Sequence, residues 1–219
     1  MSAWIHMVPL EDASGELAEM YELVKTPHGT VDNVMKAHSL RPHTMRGHVV
    51  LYRSVLHHDG NTVPLWFLET VASYVSIINA CAYSLTHHWH NAAALIGEPG
   101  RAAAVRAALD ARAPEQVFEG KELELLRYAG KLTATPGDMT RADWDAMKAA
   151  GADVMAAPTA CALASRSACA AANRPMKCRV RWRRAGSTGR PRRRQRCCTD
   201  AAAPAIRSRV AASGKRAKK

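Results

Sequence analysis

A chain of 219 residues can bury one sizeable core, and one domain plus an extension accounts for it better than two full domains. Its formal net charge of +12 comes from one end: residues 1–150 carry 13 Lys and Arg against 17 Asp and Glu, whereas residues 151–219 carry 18 against 2. The basic balance therefore gives no reason to read the first 150 residues as a nucleic-acid binder, and no run approaches the roughly 20 apolar residues of a membrane-spanning helix.

The N-terminus, MSAWIHMVPLEDASG, lacks a basic-then-apolar leader pattern, so a soluble, cytoplasmic protein is expected. Five of the six cysteines (Cys161, Cys169, Cys178, Cys197 and Cys198) lie in the basic tail. Cys81 alone lies in the patterned part and has no partner there, which argues against a disulfide framework.

After an extended segment around Pro9, ASGELAEMYELVK reads as a short amphipathic helix started by Ser14 and ended by the turn TPHG. VDNVMKAHSL places Val31, Val34, Met35 and His38 on one helical face. Pro42 opens the next helix, in which Met45, Val49, Tyr52, Val55 and Leu56 recur at three- and four-residue steps until HDGNT closes it. Thr62 and Pro64 open a central helix with an apolar stripe of Leu65, Leu68, Val71, Ala72, Val75 and Ile78. Asn79 is read as its break and as the cap of the following helix, ACAYSLTHHWHNAAAL, with Cys81 in that helix's first turn. RAAAVRAALDARA, APEQVFEGKELELLRYAGKL and TPGDMTRADWDAMKAAG supply further helices, the last with Thr140 and Asp143 spaced as a capping box. Almost nothing alternates with period two, so the fold class is all-α, over a domain of residues 1–151.

Residues 152–219 form an Arg- and Ala-rich tail without periodicity, expected to be disordered from about residue 174 because its apolar content does not offset the entropy of ordering it. Three accounts compete: an arm for nucleic acid, a solvated tail, or out-of-frame translation of GC-rich DNA. The sudden enrichment in Arg, Ala, Pro and Cys favours the last, and nucleic acid is not the expected partner.

Chemistry concentrates between Glu69 and His90. Cys81 at a helix start meets unpaired backbone N–H groups that favour a thiolate. Ser84 and His88 follow at three and then four residues, so all three share one helical face, with His88 in reach of the Ser84 hydroxyl. Glu69, twelve residues before Cys81, would sit about 18 Å away in one unbroken helix, so a break is required before it can approach His88. HHWH, with His57 and His58, invites a metal reading, but none of its histidines make the i, i+4 pair of helical metal sites; no metal or cofactor is expected.

The spacing Glu69, eleven residues, Cys81, two residues, Ser84, three residues, His88 resembles the E-x(11)-C-x-x-C-x-x-x-H motif of the alkylhydroperoxidase D and carboxymuconolactone decarboxylase superfamily. VDNVMKAHSLRPHTMRGHVVLYRSVLHH and NACAYSLTHH resemble its uncharacterised peroxidase-related branch, and the similarity covers roughly residues 1–150. The resemblance implies an all-α, AhpD-like fold assembled as trimers or hexamers. It also implies reduction of a hydroperoxide by two cysteines, the second attacking and the first resolving, while Glu and His shuttle protons and a thiol reductant closes the cycle. On these positions Glu69 and His88 match the relay and Cys81 the resolving cysteine, but Ser84 stands where the attacking cysteine belongs. A serine hydroxyl is a far weaker nucleophile and cannot pass through sulfenic acid and disulfide.

The resulting expectation is a homo-oligomeric, peroxidase-related protein with catalytic candidates Glu69, Cys81, Ser84 and His88, acting on a hydroperoxide or another small molecule. Three chemistries remain open: a one-cysteine peroxidase using Cys81, acid–base chemistry by Glu69 and His88, and lost catalysis. A silent scaffold or binding protein, and a nucleic-acid binder acting through the tail, are the alternatives of other classes. Each candidate also has a plainer account: Cys81 as a small core residue, Glu69 at a helix edge, and His88 as a packed histidine.

Overall fold

The apolar run after Pro64 forms α4, Leu65–Ile78, in which residues 67–76 are all buried. A computed structural model describes residues 5–152 of the chain, and the expectations for the basic tail, disorder and frame shift included, lie outside the described residues save for buried Ala152. Around α4 stand α1 (Gly15–Val24), α2 (Asn33–Lys36), α3 (Pro42–Leu56), α5 (Ala82–Ile96), α6 (Pro99–Asp110), α7 (Gly120–Ala134) and α8 (Arg141–Ala149). Short 3-10 turns at Pro114–Gln116 and Pro136–Asp138 precede α7 and α8, and no strand occurs among the described residues.

The stripe expected for α4 is instead a helix wrapped on all sides. Its buried hydroxyls are compatible with that because each donates to a carbonyl one turn back: Thr70 to Trp66, Ser73 to Glu69 and Ser76 to Ala72, at 2.7–2.8 Å. α7 packs against α4 through Leu125, Leu126 and Ala129, all 2 % exposed or less. Gly130 admits the Tyr74 ring, for a Cβ there would lie 3.0 Å from Tyr74 Cε1. Val105, Leu109, Phe118 and Met147 complete the main core.

The N-terminal third builds a smaller core from Leu17, Met20, Tyr21, Val31 and Met45, joining α1 to α3. Two hydrogen bonds tie the incoming chain to it: the Val8 N–H donates to Ser39 Oγ at 2.9 Å, and the Tyr21 hydroxyl donates to the Val8 carbonyl at 2.6 Å. The helix expected over VDNVMKAHSL is only the four-residue α2; His38 lies beyond it, in a turn.

The corner between α4 and α5 differs from the sequence expectation. Asn79 keeps helical backbone as the C-cap of α4, and Ala80 turns the chain with φ +49°. The Cys81 N–H donates to the Ser76 carbonyl at 2.9 Å and the Ala80 N–H to the Ile77 carbonyl at 3.0 Å. These bonds make a Schellman closure with alanine in the left-handed position usually held by glycine. The cap position of α5 belongs to Cys81 rather than Asn79, so Cys81 precedes the first turn instead of lying in it.

Candidate functional site

The Schellman corner sends α5 back along α4. Ser76 meets Ser84, and Glu69 meets both His88 and Asn91, the pairing order of an antiparallel hairpin. A straight helix would have separated Glu69 and His88 by nineteen residues; the corner sets His88 Nδ1 2.6 Å from Glu69 Oε2.

Glu69 is 1 % exposed, an inner residue of α4 rather than an edge residue. Its second oxygen, Oε1, accepts from Asn91 Nδ2 at 3.2 Å. The His88 side chain is 16 % exposed and lies between the buried carboxylate and a cavity of about 250 Å³. An ionised carboxylate only accepts, so the Nδ1 proton of His88 points to Glu69, and in the neutral imidazole Nε2 then carries the lone pair.

That cavity lies between the small N-terminal core and α5, with the end of α1, α2 and α3 as its other walls. Ser84, His87, His88, Tyr83 and Asn91 line it from α5, and Tyr52 and Arg53 from α3. The Val34 N–H donates to the Tyr83 hydroxyl oxygen at 3.3 Å, linking α2 to α5 across the rim. Burial pushes the Tyr83 phenol above its ordinary value, so it remains a neutral wall group. A wider hollow of about 550 Å³ beside α1, between Leu10 and Lys25, contains none of the four candidates.

Three of the four candidates thus gather: Glu69, His88 and Ser84. Ser84 does not bond His88 as the sequence register allowed; its hydroxyl lies 2.9 Å from Ser76 Oγ. The Ser76 hydroxyl, whose proton is shared with the Ala72 carbonyl, is the donor to Ser84 Oγ. Cys81 is a free thiol, 8 % exposed, and does not belong to the cavity lining.

The remaining histidines disperse. His57 Nε2 lies 3.2 Å from the Tyr52 hydroxyl, and His58 Nδ1 accepts the Gly60 N–H at 3.0 Å, so neither joins the HHWH segment. Among the described residues no group of three or more His, Cys, Asp or Glu gathers to hold a metal ion. No helix among them is long and apolar enough to cross a membrane.

Asn91 and Ser76 were not singled out by sequence reasoning. Asn91 lies three residues after His88, on the same helical face, and that register was the available signal. Ser76 carried none, since its meeting with Ser84 depends on where the corner falls.

No family model matches the chain, and no curated protein does either. Solved structures similar in fold include the following two. One is an uncharacterized peroxidase-related protein from Silicibacter sp. TM1040, with TM-score 0.61 and 20% identity, covering 75% of this chain and 82% of that one. The other is an alkylhydroperoxidase AhpD core, an uncharacterized peroxidase-related protein from Ralstonia eutropha JMP134, with TM-score 0.64 and 17% identity, covering 77% and 86%.

Proposed function

We propose, proceeding from the AhpD-like helical fold of this chain, that it is a peroxidase-related protein whose retained chemistry is proton transfer by His88, held by Glu69, on a small molecule in the adjoining cavity. The observation that carries this reading is the 2.6 Å contact between His88 Nδ1 and the buried Glu69 carboxylate. It makes Nε2 the basic nitrogen beside the cavity, able to take a proton from one group and return it to another. At about 250 Å³ the cavity falls below the roughly 300–1,000 Å³ of drug-sized pockets, which supports a small substrate such as a hydroperoxide.

Ser84 removes the peroxide-attacking sulfur from this wall, and Cys81 lies outside the lining. Two-electron reduction of an O–O bond therefore lacks its electron donor in the cavity, while the proton-handling pair remains. Ser84→Cys supplies the donor. The introduced thiol gives its proton to His88 Nε2, and the thiolate attacks one peroxide oxygen and breaks the O–O bond. The sulfur becomes a sulfenic acid, and the departing alkoxide recovers the proton from His88. The Cys81 thiol then attacks the sulfenic sulfur and gives its proton to the departing oxygen, which leaves as water, forming a disulfide that an external dithiol reduces.

The test is consumption of an organic hydroperoxide with a dithiol reductant. Ser84→Cys is expected to gain activity well above wild type, and Glu69→Gln or Cys81→Ala in that background to lose it. A folded Ser84→Cys variant no faster than wild type would overturn the reading and leave a silent scaffold.

A further inference from the structure

We propose that Asn91 is a positioning residue for the proton pair, the clamp that fixes the Glu69 carboxylate and through it the tautomer of His88; this rests on the proton-transfer reading above. The terminal torsion of a glutamate is broad, so one hydrogen bond on Oε2 leaves the carboxylate free to swing. The Asn91 Nδ2 donor, 3.2 Å from Oε1, occupies the other oxygen. His88 and Asn91 stand three residues apart on one face of α5, so a single rigid helix holds both oxygens of a carboxylate carried by α4.

The orientation of the Asn91 amide follows from charge, because its Oδ1 turned toward a carboxylate would repel it. An amide N–H can only donate, so Oε1 is held as an acceptor. Oε2 then accepts as well, and the shared proton stays on His88 Nδ1, so that in the neutral imidazole Nε2 is the acceptor beside the cavity. Both Glu69 oxygens being engaged, the carboxylate reaches a substrate only through His88.

Two readouts test the clamp in the full chain. In selectively 15N-histidine-labelled protein with Ser84 intact, His88 is expected to show a single Nδ1–H tautomer. Asn91→Leu, similar in size but without a donor, is expected to give a mixture, and Asn91→Gln, which keeps the amide on a longer arm, to keep the single tautomer. In the Ser84→Cys background Asn91→Leu is expected to lower kcat about tenfold, as a misplaced proton-transfer group does, and Asn91→Gln to restore most of it. Asn91 is itself an exposed residue, so its variants are expected to retain the hairpin, which circular dichroism checks. A single, unshifted tautomer in Asn91→Leu overturns the clamp, whatever the kinetics. An inactive Ser84→Cys variant with a normal His88 spectrum overturns the proton-transfer reading and leaves the clamp to the tautomer measurement.

Discussion

His88→Leu separates what the Glu69–His88 pair does for stability from what it does for chemistry. The variant removes the donor from Oε2 of a carboxylate whose side chain is 2 % exposed, while the lost imidazole was 16 % exposed. Removing the donor of a hydrogen bond to a buried charged group costs about 1.5–3 kcal/mol, because the carboxylate stays desolvated with one partner fewer. Asn91 still holds Oε1 and water reaches the vacated side through the cavity, so about 2 kcal/mol is expected. At about 2–4 °C per kcal/mol for a chain of this size, Tm falls by roughly 4–8 °C. Glu69→Leu/His88→Leu should recover most of that loss, since an apolar pair of similar volume is often neutral or stabilising. Urea unfolding of wild type, both single variants and the double variant completes the cycle, with the midpoint moving and the slope constant. A double variant no more stable than His88→Leu, or a His88→Leu within about 1 kcal/mol of wild type, would refute the reasoning. The expected result leaves the pair dispensable for folding, so its presence points to chemistry.

Burial lowers the His38 imidazole below its ordinary value near 6.5, in a site where Nδ1 faces Thr44 Oγ1 at 2.9 Å and Nε2 faces His48 Nδ1 at 3.0 Å. The unfolded chain therefore takes up the proton first, so stability is lost as pH falls below about 6.5; His38→Gln should flatten that slope in thermal melts between pH 7 and 5, and an unchanged slope would contradict it. Hydrogen bonds from Lys131 and Thr140 lower the Asp143 carboxyl from 3.8 to about 2, so its support of the α8 cap is complete above 3.8 and lost as pH falls toward 2. Asp143→Asn should remove that acid transition from a circular-dichroism titration, and its persistence would reassign it. Leu126→Ala, at 0 % exposure between α7 and α4, deletes three buried carbons and leaves a void, a loss of about 3 kcal/mol measured by urea unfolding; less than 1 kcal/mol would show that the core closes over the gap.

The helices were legible because their apolar spacing, Pro42 at a helix start and the Thr140–Asp143 box are local signals, and local chemistry forms these elements. The corner was legible only as a break. The residue that turns the chain is Ala80, and alanine carries no sequence mark for a left-handed conformation, so the polar Asn79 drew the assignment. α2 was overestimated because Val31 and Met35 repeat with helical spacing, yet both are used to pack against the small N-terminal core. The Glu69–His88 approach followed from spacing once a break was granted. The Ser76–Ser84 contact and the Asn91 bond depend on the hairpin register, a tertiary quantity that spacing within one helix does not encode.

Ala80 has a consequence for how stiffly the hairpin stands. Alanine at φ +49° costs about 1–2 kcal/mol in the folded chain, which glycine would avoid. Glycine, however, frees the unfolded chain by about 0.4–1 kcal/mol, so Ala80→Gly changes stability little. The side chain instead narrows the angular excursions open to residue 80, where α5 is hinged to α4. Residue 80 sets the direction in which α5 leaves α4, and an angular change there is carried along the eight residues to His88, where the 2.6 Å contact closes.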